Sequence, residues 1–205
     1  MDITFSQPAV GDTVPLNHSL KARQRIWVAL EWDPNREKPK FFEKLLKKDT
    51  SHNLDLTCYI YDNNHEFIDF VGAEAQDSMD ETENIYHSGD DSSGEGDGDD
   101  ERISVELAGL PDSTHGIVFM VEVRSEHMFG QINGPQVRLA DSMTNENMLV
   151  TPIAGPAVQN TNAFVFCSIF RSGVSPTGWM LRNISESPDI SKIADWGSYL
   201  AQFVD

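Results

Sequence analysis

The segment "GDDSSGEGDGDDE" places seven carboxylates in thirteen residues, Gly89 to Glu101, with no lysine or arginine among them. Carboxylates at that density can stay solvated as a flexible acidic linker, or they can converge on a cation. The residues directly behind the acids favour convergence. "RISVEL" alternates Ile103, Val105 and Leu107, so a strand begins with no spacer behind the last acid. Carboxylates fixed on a short loop between strands repel one another unless a cation compensates. The donors are hard oxygens, and the glycines let backbone carbonyls turn inward. Ca2+ takes about 6–8 such oxygens in a flexible shell, whereas Mg2+ demands a strict octahedron. Zinc would call for His or Cys, which the loop lacks. Neither the helix–loop–helix calcium spacing nor tandem glycine–aspartate nonapeptides occur here. A cation site would therefore be built between loops of a β-scaffold. "EWDPN" (Glu31 to Asn35) and "HNLDL" (His52 to Leu56) each set an Asp or Asn beside a strand end.

Other chemistries find less support. The six histidines show no H-x3-H spacing and are read as surface residues, although His52 and His87 flank acidic segments. Cys58 and Cys167 sit inside the apolar runs "LTCYIY" and "FVFCSIF" and form no CxxC pair, so they are read as reduced core residues. No nucleophile elbow, phosphate-cradling loop or dinucleotide fingerprint is present. Neighbouring acids such as Asp99 and Asp100 could do acid–base work, but a solvent-facing loop is a poor place to raise a carboxyl pKa. A non-enzymatic protein is expected.

The elements that must position these residues are mostly strands. "RIWVALEW", "LDLTCYIYD", "HEFIDFV", "RISVEL", "IVFMVEV", "QVRLAD", "NMLVTPI", "AFVFCSIFR" and "GWMLRNI" are separated by Gly, Pro, Asn and Ser clusters. Asn63-Asn64 marks a hairpin between the second and third. "IVFMVEV" reads as buried on both faces at its start. Strands at this spacing predict an all-β fold, a sandwich of two mainly antiparallel sheets. Two helical segments are expected with it. "PKFFEKLLKKD" puts Phe41, Phe42, Leu45 and Leu46 on one face, within a basic helix or loop over 36–52. From Ser187, a Ser-Pro-Asp start opens a helix over 187–204 whose Ile190, Ile193, Trp196, Leu200 and Phe203 form an apolar face. A single domain over 1–205 accommodates all of this.

The net charge of −18 is concentrated: residues 49–101 hold 17 acidic residues and no lysine or arginine. Such a patch repels nucleic-acid phosphates and anionic lipid, and suits cations or a basic partner. No apolar run is long enough for a membrane span. "MDITFSQPAVGD" lacks a basic start followed by an apolar run, so no secretory signal is expected.

"GDDSSGEGDGDDERISVELAGLP" resembles the acidic signature block of the TerD family of tellurium-resistance and stress proteins. "VALEWDPN", "NLDLTCYIYD", "FGQINGPQVRLADSMTNENML" and "AFVFCSIFRSG…GWMLRNI" resemble further family segments, so the likeness spans nearly the whole chain. The resemblance implies a β-sandwich that binds one or two Ca2+ ions at one end. Carried over by matching position, the implied metal ligands are Asp33, Asn53, Asp55, Asp90, Glu95, Asp99, Asp100 and Glu101, with Gly94 as a backbone donor. Asp97 matches a usually acidic position. The chain departs from the pattern at Asn53, where the family commonly has Asp, at the added charge of Asp91, and in the inserted "REKPKFFEKLLKKDTS". The resemblance also implies a bacterial, cytoplasmic role in resistance to tellurite and related stresses, within a membrane-associated complex of Ter proteins. The mechanism expected is a switch in which Ca2+ fixes the acidic loops for a partner. The competing expectation is a peripheral module that uses Ca2+ to bridge its loops to anionic lipid, as C2 sandwiches do.

Overall fold

The computed structural model describes residues 7–17, 24–35, 51–95 and 98–205. Among these residues eleven strands form two antiparallel sheets. One sheet has the order β1-β11-β10-β7-β3-β4: β1 is Thr13–Pro15, β3 Leu54–Asp62, β4 Phe67–Val71, β7 Thr114–Val123, β10 Ala163–Arg171 and β11 Trp179–Glu186. The other has the order β5-β6-β2-β8-β9: β2 is Arg25–Asp33, β5 Ile85–His87, β6 Glu101–Glu106, β8 Asn133–Asp141 and β9 Asn147–Pro152.

The alternation of "RISVEL" has the consequence expected of it. Ile103 and Val105 point into a core shared with Ile26, Val28 and Leu30 of β2 and with Leu54, Leu56, Phe119 and Phe166 of the facing sheet. The apolar run of β7 is buried on both faces because a second layer covers the outside of its sheet. Val118 and Met120 pack there with Val165, Leu200, Phe203 and Val204. Cys58 and Cys167 are buried free thiols within the main core.

Three expectations need correction. The segment over 187–204 is not one helix. It is a 3-10 turn at Ile190–Lys192, a short helix α1 at Trp196–Leu200 and a second 3-10 turn at Ala201–Phe203. Asp195 breaks it: its backbone is extended and its side chain accepts from Ser198 N, so the helix restarts there, and Ile190 stays exposed. The strands β1 and β5 were not expected, because three residues are too few to show a period. β7 begins at Thr114, three residues before the expected run "IVFMVEV". The basic insert expected over 36–52 falls at 36–50 outside the described residues. Among the described residues no helix is long and apolar enough to cross a membrane.

Candidate metal centre

The acidic site lies at the end of the sandwich where β3 and β6 begin and β2 ends. Glu101 opens β6, and register pairs it with Leu30 of β2. Its side chain is fully buried and faces the other sheet, where Oε2 accepts from Leu56 N at 2.7 Å. β4 pairs with β3 only from Cys58 onward, so Glu101 supplies the acceptor that a neighbouring strand would otherwise provide. One carboxylate thus ties the two sheets together. Its Oε1 accepts from Asp91 N at 3.3 Å and so also holds the acidic loop.

Asp55 of β3 and Asp90 of the loop complete a triad. One carboxylate oxygen from each of Asp55, Asp90 and Glu101 lies within 4.8 Å of the others. Two full charges at that spacing repel by about 3–4 kcal/mol at an effective dielectric near 20. The repulsion is visible in Asp55. Burial first, then the Glu101 charge, raise its pKa to about 6, while the nearby Arg124 guanidinium opposes the rise. Arg124 Nε sits 3.3 Å from Asp55 Oδ2. The reading that the acidic loop is a poor place to raise a carboxyl pKa fails at Asp100, on the loop itself, whose carboxyl burial pushes up; the larger rise falls on Asp55, off the loop. Asp55 stands half-buried on β3, where burial and the Glu101 charge act together.

The Asp55 shift fixes the sign of its contribution to the pH dependence. A carboxyl whose pKa is higher folded than unfolded binds its proton more tightly in the folded state. The cost of ionising Asp55 is absent below its ordinary value of 3.8 and fully present above about 6. In a metal-free buffer, this group should make the thermal midpoint fall as pH rises from 4 to 6, and Asp55→Asn should flatten that limb. Thermal melts of both proteins across this range check it.

His87 lies beneath the triad with its side chain fully buried, Nε2 3.3 Å from Glu101 Oε2. Its Nδ1 accepts from Gly89 N at 3.0 Å, so Nε2 carries the proton in the neutral ring and offers no lone pair to a metal. His52 is buried as well, with its carbonyl accepting from Trp32 Nε1 at 2.9 Å. Both rings are thus corrections to the surface reading: His87 ends β5 and His52 stands just before β3, at the acidic end of the sandwich. Asn53, Asp55, His87, Gly89, Asp90 and Arg124 line one open cleft of ≈ 670 Å³. Asn53 Oδ1 is buried with no hydrogen-bond partner. An orphaned acceptor beside three converging carboxylates fits a hard cation and suits an anion poorly.

The remaining expected ligands divide. Asp100 Oδ2 accepts from Trp32 N at 2.8 Å. Burial, then Asp91, Glu31 and Asp99, push its carboxyl up against that hydrogen bond. It belongs to a neighbouring acidic group, apart from the triad. Asp99 engages both oxygens with arginines: Arg138 Nη2 is 2.8 Å from each, and Arg102 Nη2 is 2.6 Å from Oδ2. The guanidinium groups of Arg102 and Arg138 stack on Trp27, at 4.5 and 4.2 Å from its ring. Asp33 is exposed at the end of β2 beside Gly134, and Glu95 is exposed on the loop. Gly94 packs on Trp32 with φ +63°. Asp97 lies outside the described residues. Sequence reasoning missed Arg124, which sits 69 positions from Asp55 and reaches it only through the pairing of Asp55 with Glu122 across β3 and β7.

Fold and site define a class: antiparallel two-sheet sandwiches whose acidic loops gather at one end. The chain belongs to the TerD family, whose domain model matches residues 3–188. It is 27% identical to Tellurium resistance protein TerX of Serratia marcescens, over 91% of this chain and 93% of that one. It is 26% identical to Stress response protein SCP2 of Bacillus subtilis (strain 168), over 90% and 94%. Among solved structures, a homologue of telluride resistance protein (TerD) from Streptomyces coelicolor A3(2) superposes with a TM-score of 0.64. It is 20% identical and covers 86% of this chain and 94% of its own, a likeness of fold.

Proposed function

We propose that the protein is a calcium-binding, non-enzymatic member of the TerD family that acts in resistance to tellurite and related stresses. One observation carries the reading: Asp55, Asp90 and Glu101 bring three ligand oxygens together, with Asp55 and Asp90 lining a cleft that Asn53, whose Oδ1 is buried and unpartnered, also lines. The donor set is all oxygen, which favours Ca2+ over zinc. Asn53 in place of an acid lowers the charge of the site without removing a donor oxygen. Relatives named for tellurium resistance and stress response support the cellular role.

The mechanism is ordering by neutralisation. Without the ion, Asp90 and the loop behind it are pushed from Asp55 and Glu101, and Arg124 offsets only Asp55. Bound Ca2+ draws Asp90 onto the strand ends and fixes the loop as a surface for a partner. Other Ter proteins, gathered in a membrane-associated complex on the cytoplasmic side, are the proposed partners. The test is amide hydrogen exchange with and without Ca2+. Exchange from Ser88 to Glu95 is expected to slow by at least tenfold, on the order of 1.4 kcal/mol of added local stability. Equal exchange in both conditions sinks the switching mechanism.

A further inference from the structure

A second set of ligand-type side chains converges at the opposite end of the sandwich. β3 begins at the acidic cleft and, nine residues long, ends about 25–30 Å away. There the chain turns through Asn63 and Asn64. Asp62 Oδ1 accepts from Asn64 N at 2.8 Å and Glu66 N at 2.9 Å, which fixes the turn. The turn places His65 in the left-handed region, at φ +60°. Its ring stacks on His115 of β7, with centroids 5.0 Å apart. Asp205 reaches the same point from the segment after α1, where Arg182 Nη1 holds its carbonyl at 2.8 Å. His65 Nε2 lies 3.1 Å from Asp205 Oδ1, and His115 Nε2 lies 3.7 Å from the same oxygen. All three ligand atoms lie within 4.8 Å of one another.

We propose that His65, His115 and Asp205 form a binding site for a borderline divalent cation of the zinc class. Metal–ligand bonds of about 2.0–2.1 Å in a tetrahedron set neighbouring donors about 3.3–3.4 Å apart. The two nitrogen–oxygen spacings bracket that value. His115 Nε2 is buried without a hydrogen-bond partner, although it points at a carboxylate. A single proton on His65 can satisfy Asp205 but leaves His115 Nε2 unmatched, whereas one cation satisfies all three groups. Two imidazoles and one carboxylate select zinc-class ions over Ca2+, and the exposed side of Asp205 leaves room for water at a fourth position. The two ends of the molecule then discriminate cations by hardness.

The test is calorimetric titration of the full chain with Zn2+ in millimolar Ca2+, which keeps the acidic end engaged, repeated on His65→Ala and His115→Gln. Circular dichroism checks that each variant is folded. His52 and His127 lie at the other end and are unchanged in both variants. One Zn2+ per chain is expected, with affinity at least tenfold weaker in each variant and a tetrahedral Co2+ absorption spectrum that each variant loses. Absence of Zn2+ binding by the wild type, or either folded variant binding as the wild type does, overturns the proposal.

Discussion

Glu101→Gln is expected to abolish the response to Ca2+ while leaving the metal-free protein folded. The substitution keeps an oxygen to accept from Leu56 N, so the tie between the sheets survives. It removes one of three negative charges from the triad, and Ca2+ affinity follows charge count, so a loss on the order of 100-fold is expected. A wild type at 100 times its dissociation constant gains about 2.7 kcal/mol from the ion. For a chain of this size that is a rise of roughly 5–11 °C in the thermal midpoint. The variant should show almost none of it. Its metal-free midpoint should equal or exceed that of the wild type, because the charge that raises the Asp55 pKa is gone. Glu101→Ala is the useful contrast. It relieves the same repulsion but leaves Leu56 N without its acceptor, an added cost of about 1–3 kcal/mol that glutamine avoids. The alanine variant should therefore melt below the glutamine variant.

Gly94→Ala should cause the largest loss of stability of any single methyl addition at the described glycines of the acidic loop. A Cβ at this position would lie 2.5 Å from Trp32 Nε1 and 2.8 Å from the Trp32 carbonyl oxygen. The second contact is backbone, so rotation of a side chain cannot relieve it. The backbone at φ +63° adds about 1 kcal/mol of strain for any L side chain. Displacing buried Trp32 adds about 1–3 kcal/mol more. A total near 3 kcal/mol corresponds to a midpoint lower by roughly 6–12 °C. Trp32 also donates from its backbone to Asp100 and from its ring to the His52 carbonyl, so the shift spreads along both strand ends beside the site. Gly89→Ala is the control: its Cβ meets nothing within 4 Å, so only the strain of its φ remains. Thermal melts of the two variants should differ by the packing contribution.

The sandwich was legible because its strands are regular. Ile103, Val105 and Leu107 alternate, and Ile117 to Val121 are apolar without interruption. Each pattern states how many faces its strand buries. The acids of the site were legible as a set, since Asp55, Asp90 and Glu101 all stand among the residues expected to ligate. Which of them meet was not. Glu101 faces the core because the β2–β6 register places it opposite Leu30, and adjacent Asp100 falls on the other side of that register. Asp99 is drawn to Arg138, 39 positions away on β8, a pairing with no local signal. His65 and His115 are fifty residues apart and meet only because Asp62 pairs with Thr114. The terminal helix was overextended because apolar spacing alone does not show that Asp195 caps a new start.

Calorimetric titration with Ca2+ at neutral pH, run on the wild type beside Glu101→Gln, bears most directly on the acidic cleft as a calcium site. The wild type should give saturable heat with at least one Ca2+ per chain, and Glu101→Gln should give little or none over the same range. If the wild type releases no heat and shows no thermal shift in millimolar Ca2+, or if the variant binds as the wild type does, Asp55, Asp90 and Glu101 do not form a calcium site.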